Sequence, residues 1–295
     1  MIDMTTTTPA NCPSPRIIYG TAWKRERTPE LVALAIQHGF RAIDTACQPK
    51  HYDEPGVGRG LAECLGADLT RADLYIQSKF TAVASQDPER IPYDSRTPLR
   101  EQVAQSFAAS LENLQTTYLD CLLLHSPMRS AEASIEVWTA MERICDAGGT
   151  RRLGISNCYR PPYLEVLYRL ARIKPVVVQN RFCKETGYDT ALRAFCTAHD
   201  IVYQSYATRT ANRDLLARRE ITDLASRYGR TPAQILLRYL TQLGIVPLTG
   251  TTSGVHMDEN LDIFSFELGE EECRSLDGLL HGAAQTAAIT AAISP

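Results

Sequence analysis

The sequence predicts a single-domain α/β protein, a closed (β/α)8 TIM barrel. Eight short β-branched or apolar runs alternate with helical patterns along the chain, which is typical of parallel strands joined by right-handed crossovers. No break in composition divides the 295 residues, and α/β barrels commonly reach this length as one domain. The alternative is an open doubly wound sheet. It needs a glycine-rich turn after the first strand, and "YGTAWK" does not provide one.

The predicted strands are runs of five to seven residues, each followed by a plausible helix. They cover 16–20, 41–46, 74–79, 119–125, 151–156, 176–180, 201–206 and 244–249. Eight units of this kind, with no other domain signal, favour closure of the sheet into a barrel.

Three helices are predicted from a Thr-Pro start, at 28–39, 97–114 and 231–244. In the first, Thr28 is the expected N-cap, Pro29 the first helical residue and Gly39 the stop. The segment "GVGRGL" (56–61) lacks the third glycine of a dinucleotide fingerprint and follows a loop. We interpret it as the start of a helix packed closely on the barrel.

Composition limits the remaining functions. The net charge of −3 gives no indication of a nucleic-acid or anionic-membrane partner. Nine cysteines without a CxxC motif are typical of free thiols in a reducing compartment. No signal peptide or run of ~20 apolar residues is evident. We therefore expect a cytoplasmic barrel at 16–282, with a disordered tail at 1–15 and a weakly ordered tail at 283–295.

Charged and ionisable residues stand at the predicted strand ends, where barrel enzymes carry their chemistry. Strand two ends at Asp44, strand three at Lys79 and strand four at His125. Singly, each has an ordinary explanation: a helix cap, a snorkelling lysine or a buried core histidine. Adjacent strand ends lie ~5 Å apart, so the three would converge on one cavity. Placing a cation and an anion together in an apolar cavity costs desolvation energy, so the arrangement indicates a functional site.

These positions lie in motifs that resemble those of the aldo-keto reductase superfamily. "IDTA", "YDE", "IQSKF", "LLLHSP", "LGISN" and "VVVQN" occur in that family's order, over nearly the whole chain. The resemblance implies a barrel that transfers hydride from NADPH to an aldehyde or ketone, usually without a metal. The family's four catalytic residues would fall on Asp44, Tyr52, Lys79 and His125.

The chemistry of carbonyl reduction explains these residue types. The carbonyl oxygen needs a proton, and a free tyrosine has a pKa near ~10. A lysine ammonium beside Tyr52 would favour its phenolate, and Asp44 would keep Lys79 charged and oriented. His125 would orient the carbonyl and donate to its developing negative charge.

The resemblance also implies a cofactor site for NADPH, with NADH as the alternative. Ser156, Asn157 and Gln179 would hold the carboxamide, and the loop after strand eight would seat phosphate at a helix N-terminus. The full set of expected cofactor contacts is Gly20, Thr21, Ser156, Asn157, Gln179, Gln204, Ser205, Tyr206, Gly250, Thr251, Thr252, Ser253, Glu259 and Asn260.

Two departures from the family pattern concern the cofactor. The Lys and Arg that usually bind the 2′-phosphate align with Gly250 and His256, which weakens the preference for NADPH unless Arg209 or Arg213 reaches across. The stacking aromatic aligns near Gln204, with Tyr206 as a substitute.

A third departure concerns the proton donor. Tyr52 lies eight residues after Asp44, where five is common, and spacing from Glu54 would instead select His51. We favour Tyr52, because a phenol pairs sensibly with Lys79. The expected partner is a small carbonyl compound; a redox-neutral dehydratase, isomerase or cyclase is the alternative enzyme, and a non-catalytic barrel the third hypothesis. Substrate identity and oligomeric state are not indicated.

Overall fold

Eight parallel strands close into a barrel in the computed structural model, which describes residues 15–293. Each strand pairs with the next along the chain, and the eighth returns to the first. The predicted barrel and its eight strands are confirmed. The strands are β1 (Ile18–Gly20), β2 (Ala42–Asp44), β3 (Tyr75–Phe80), β4 (Cys121–Leu124), β5 (Leu153–Ser156), β6 (Val177–Arg181), β7 (Val202–Tyr206) and β8 (Val246–Thr249).

Helices surround the barrel and connect its strands. They are α1 (Thr28–Gln37), α2 (Glu54–Cys64), α3 (Leu99–Leu114), α4 (Ala131–Asp146), α5 (Pro161–Leu170), α6 (Thr190–Ala198), α7 (Arg213–Leu216), α8 (Arg219–Tyr228), α9 (Pro232–Gln242), α10 (Gly254–Leu261) and α11 (Glu270–Ile293). Across the described part of the chain, none of them combines the length and apolarity that a membrane span requires.

The two predicted tails lie at the limits of the described chain. The N-terminal tail at 1–15 falls outside the described residues except for Pro15. In the segment 283–295, the backbone continues helix α11 as far as Ile293, and the last two residues lie outside the described range. Weak order there remains a prediction.

The three Thr-Pro starts differ in how they begin a helix. At α9, Thr231 accepts a hydrogen bond from the backbone N–H of Gln234, whose side chain returns to the cap. Thr28 is instead the first residue of α1, because a 3-10 turn leads directly into that helix and the Thr28 hydroxyl donates to a backbone oxygen of the turn. The predicted N-cap at Thr28 is therefore wrong. At α3 the N-cap residue is Pro98, which has no side-chain hydrogen bond to offer.

The "GVGRGL" segment lies in α2, as predicted, and its glycines allow that helix to approach its neighbours. A Cβ on Gly58 would lie 2.0 Å from the backbone oxygen of Asn113 in α3. A Cβ on Gly60 would lie 2.5 Å from the backbone oxygen of Pro29 in α1. These contacts are closer than carbon and oxygen tolerate, so the segment serves helix packing.

Alternate residues of the strands face opposite sides of the barrel wall. One apolar cluster includes Ile18, Ala42, Tyr75, Leu123 and Val177 and fills the barrel interior. Their immediate strand neighbours belong to the larger cluster between barrel and helices. This period of two is the geometry of a closed sheet. It also directs Asp44 and Lys79 inward, since they lie two and four residues beyond interior positions of β2 and β3.

Candidate active site

A cavity of about 800 Å³ opens at the carboxyl ends of the strands and collects most of the predicted site residues. Three of the four predicted catalytic residues line it, namely Asp44, Tyr52 and His125. Lys79 lies beneath them, with 1% of its side chain exposed. Eight predicted cofactor residues also line the cavity, namely Gly20, Ser156, Asn157, Gln179, Tyr206, Gly250, Thr251 and Thr252.

Asp44 and Lys79 form a buried ion pair. The Lys79 ammonium donates to both carboxylate oxygens, at 2.8 and 2.7 Å, and to the backbone oxygen of Thr45 at 2.7 Å. These three acceptors match the three protons of an ammonium group. Burial lowers the pKa of Lys79, and the Asp44 charge opposes that change.

A layer of amide side chains supports Asp44 from inside the barrel. Gln77 donates to the Asp44 carboxylate at 2.6 Å and Gln179 donates to the same oxygen at 2.9 Å. Both amides also donate to the Gln204 side-chain oxygen at 3.0 Å. The hydrogen bonds connect β2, β3, β6 and β7 across the interior. Asp44 is thus held by a cation and two amides, and the cap of α2 is a different residue, Asp53.

Tyr52 is held at the rim by the compact turn that precedes α2. The backbone N–H groups of His51 and Tyr52 both donate to the Gln48 oxygen, at 3.2 and 3.1 Å. Asp53 then caps α2 by accepting from the Gly56 N–H at 2.9 Å. The extra residues between Asp44 and Tyr52 are taken up in this turn.

The Tyr52 ring lies between Lys79 and His125. The Lys79 Nζ is 5.2 Å from the ring centroid, and the His125 ring meets Tyr52 edge to face at 6.0 Å. Among the described residues, no hydrogen bond joins the Tyr52 hydroxyl to Lys79. Burial first, and the Asp44 charge second, raise the pKa of Tyr52 above its usual value. The lowering of the Tyr52 pKa expected from lysine is not seen, because burial dominates; the protons of Lys79 are directed at Asp44 and Thr45.

His51, the rival proton donor, belongs to the same turn and also lines the cavity. Its ring packs against Trp23 at a centroid distance of 4.0 Å, and its Nδ1 is buried without a hydrogen-bond partner among the described residues. Burial, with the nearby Lys50 charge, lowers the pKa of His51. Of the two candidates, the ring found between Lys79 and His125 is that of Tyr52.

His125 is a neutral side chain in this site. Burial first, with the charges of Lys79 and His51, lowers the pKa of His125 to about 3. Its Nδ1 lies 2.6 Å from the hydroxyl oxygen of Thr81. At neutral pH the ring therefore acts through a hydrogen bond and carries no charge of its own.

Asn157 connects the catalytic rim to the predicted nicotinamide contacts. Its amide donates to the His125 backbone oxygen at 2.8 Å, and its side-chain oxygen accepts from the Tyr206 hydroxyl at 2.6 Å. Tyr159 donates to the same oxygen at 3.2 Å. Asn157 has a left-handed φ of 53°, a conformation that asparagine adopts more readily than most residues.

Six of the predicted cofactor residues do not line the cavity. Gln204 and Ser205 are fully buried inside the barrel wall. Thr21 donates to the backbone oxygen of Asp44 at 2.9 Å and so joins β1 to β2. Ser253 caps α10, and the remaining two, Glu259 and Asn260, lie farther along that helix.

Positive charge dominates the outer part of the cavity. Lys24, Arg181, Arg209 and Arg213 line it, and none of them has an ion-pair partner among residues 15–293. The Lys24 ammonium donates to the backbone oxygen of Gly250. Asp44 is the one acidic side chain among the lining residues, and it is already paired with Lys79. An anionic ligand would therefore meet uncompensated cations.

Sequence reasoning overlooked two side chains that contact the catalytic group, Gln77 and Thr81. Both lie two residues from Lys79, on the same face of β3 and its extension. The period of two along a strand could have identified them, because every polar residue in phase with Lys79 faces the barrel interior or its mouth.

Comparison with known proteins agrees with the family resemblance of the sequence motifs. The family model described as "Aldo/keto reductase family" matches residues 16–281. A glyoxal reductase of Bacillus subtilis (strain 168) is 32% identical over 250 residues, which cover 85% of this chain and 82% of the relative. A 9,11-endoperoxide prostaglandin H2 reductase of Trypanosoma cruzi (strain CL Brener) is 28% identical over 254 residues, covering 85% and 82%.

Solved structures agree with the sequence comparison. The crystal structure of an aldo/keto reductase from Brucella melitensis superposes with a TM-score of 0.77 and 26% identity, and the match covers 90% of this chain and 95% of that one. An aldose reductase from Schistosoma japonicum gives a TM-score of 0.75 and 25% identity, with 90% and 88% covered.

Proposed function

Since this chain belongs to the aldo/keto reductase family of oxidoreductases, we propose that it reduces an aldehyde or ketone, or oxidises the corresponding alcohol, with Tyr52 as the proton donor. The observation that carries the proposal is the meeting of an Asp44–Lys79 ion pair, a phenol and a neutral imidazole at one cavity rim.

Each residue has a distinct task in the proposed reaction. Tyr52 gives its proton to the carbonyl oxygen, and its raised pKa keeps that proton in place at neutral pH. The Lys79 charge, 5.2 Å from the ring centroid, stabilises the tyrosinate that remains until solvent returns a proton. His125 donates a hydrogen bond to the same carbonyl oxygen and so orients it. Asp44 holds Lys79 beneath the ring.

The hydride is the chemistry that a nicotinamide cofactor supplies when bound in this cavity. The residues present fit such a group. Gln179 uses its amide N–H groups within the barrel, so its carbonyl oxygen is the atom left to accept from a carboxamide. The four unpaired cations suit the phosphates of a dinucleotide.

We further propose that the chain binds NADPH and NADH with similar affinity. Gly250 and His256 stand where the family usually carries cations for the 2′-phosphate, so a preference for NADPH would have to come from Arg209 or Arg213, which line the cavity from another loop. Dissociation constants for the two cofactors should differ by less than about tenfold, or 1.4 kcal/mol. Quenching of Trp23, which is 64% exposed at the cavity, would report binding, with Trp23→Phe as the control. A cytoplasmic location remains part of the proposal.

Paired variants of the tyrosine turn test the assignment. Tyr52→Phe should lower kcat for a panel of small aldehydes and ketones by ~10²–10⁴ and leave the cofactor dissociation constant unchanged. His51→Ala should retain kcat within a few-fold. Loss of turnover in His51→Ala but not in Tyr52→Phe would transfer the acid to His51.

The panel itself tests the reaction class. Reductive turnover should consume the reduced nicotinamide, seen as a fall in its absorbance. Failure of both cofactors to bind at millimolar concentration would exclude a reductase. Binding of cofactor together with conversion of substrate at constant absorbance would instead favour the redox-neutral alternative.

A further inference from the structure

Thr81 makes the hydrogen bond that determines how His125 can act. It follows β3 directly and is 1% exposed. Its hydroxyl oxygen lies 2.6 Å from the His125 Nδ1. Its backbone oxygen accepts from the Gln86 side-chain amide at 3.2 Å and from the Tyr93 hydroxyl at 2.7 Å. These bonds fix the Thr81 backbone beside His125.

The direction of the Thr81–His125 hydrogen bond follows from the partners available. Within the described residues, His125 is the one hydrogen-bond partner of the Thr81 hydroxyl. If the imidazole donated from Nδ1, the hydroxyl proton would be buried without an acceptor, which is unfavourable. The hydroxyl therefore donates, and Nδ1 accepts.

A neutral imidazole carries one N–H, so an accepting Nδ1 leaves the proton on Nε2. The ring is neutral here because burial and nearby charges disfavour its protonation. Nε2 is then the ring nitrogen left to meet a ligand in the cavity that His125 lines. In the opposite tautomer, a lone pair on Nε2 would face the carbonyl oxygen and repel it.

We propose that Thr81 is a positioning residue, whose hydroxyl fixes His125 in the Nε2–H tautomer so that it donates to the substrate carbonyl. This inference rests on the proposed carbonyl reduction, but the tautomer can be observed without any substrate. Thr81→Val keeps the side-chain shape and removes the hydroxyl, whereas Thr81→Ser keeps the hydroxyl.

Nitrogen-15 NMR of histidine-labelled protein at pH 7.5 measures the tautomer directly, with His125→Asn identifying the His125 signals. The intact protein and Thr81→Ser should show a protonated Nε2 and an accepting Nδ1. Thr81→Val should show a mixture or a protonated Nδ1. A protonated Nδ1 in the intact protein, or an unchanged pattern in Thr81→Val, would overturn the inference.

Kinetics provide the second measurement. Loss of one positioning hydrogen bond should lower kcat about 3- to 10-fold in Thr81→Val, with the cofactor dissociation constant unchanged. Thr81→Ser should recover kcat to within about twofold. Equal kcat in all three proteins would contradict the positioning role.

The two proposals fail in different ways. An Nε2–H tautomer in a protein that reduces no carbonyl compound would remove the proposed function alone. A protonated Nδ1 in a protein that does reduce carbonyls would remove the role of Thr81 alone. If Thr81→Val does not fold, the tautomer of the intact protein still tests the inference, because a protonated Nδ1 there would overturn it. The tautomer and kcat of Thr81→Ser should match those of the intact protein.

Discussion

Replacing Lys79 by methionine should destabilise the fold, because the Asp44 carboxylate would remain in the barrel without its cation. The two side chains are 1% and 4% exposed. Breaking a buried ion pair from one side typically costs about 3–5 kcal/mol. Gln77 and Gln179 would still donate to Asp44, so we place Lys79→Met near the lower end, at about 3 kcal/mol.

A double-mutant cycle isolates the ion pair. Asp44→Asn leaves the ammonium with a weaker acceptor, and the combined variant leaves neither charge. The combined loss should therefore be smaller than the sum of the single losses by about 2 kcal/mol. Lys184→Met is the matched control, because Lys184 pairs with Asp214 at the surface, where the two side chains are 44% and 82% exposed. It should cost less than about 0.5 kcal/mol.

Urea unfolding followed by circular dichroism measures each free energy, provided that the urea dependence is the same for all variants. A loss below about 1 kcal/mol in Lys79→Met, or strict additivity in the cycle, would refute the reasoning. Either result would mean that the Asp44 carboxylate takes up a proton or reaches water when its partner is removed.

Three further predictions concern stability. His125 has a pKa of about 3 in the fold, so the unfolded chain takes up its proton first as the pH falls. The free energy of unfolding should therefore fall by about 2 kcal/mol between pH 8 and pH 5. The urea midpoint should fall less over this pH range in His125→Gln than in the intact protein. Gly58→Ala should cost about 2–3 kcal/mol in urea unfolding, because its Cβ would overlap a backbone oxygen of α3; Gly66→Ala, at an open position, should cost much less. Thr231→Ala should lower stability by about 1 kcal/mol through loss of the α9 cap, and an unchanged thermal midpoint would contradict the capping role.

The sequence was sufficient to predict the order and nature of the structural elements. Alternating apolar runs and helix signals predicted all eight strands, because strands and helices are encoded by local patterns in the sequence. Eight alternations in a row are typical of few folds other than the barrel. The Thr231 cap was readable for the same reason. The cap at Thr28 was not, because the chain enters α1 through a 3-10 turn that no local signal indicated.

The sequence also predicted which side chains share the barrel mouth. Asp44 and His125 line one cavity, and Lys79 lies beneath it, because residues at the carboxyl ends of parallel strands converge. Tyr52 joins them from the loop that follows β2. Their assigned catalytic and cofactor roles remain predictions. Position along a strand tells whether a side chain faces the interior or the outside of the barrel wall, and the sequence alone gives that position.

The tertiary structure alone decided which of these groups touch. The amide layer beneath Asp44 joins strands on opposite sides of the barrel, and its geometry depends on the register of every pair in between. The three protons of Lys79 are taken by Asp44 and Thr45, so the Tyr52 hydroxyl has no bond to it. Hydrogen bonds act over about 3 Å, whereas spacing along the chain specifies only faces and ends. The partners of each side chain therefore emerge only once the barrel has closed.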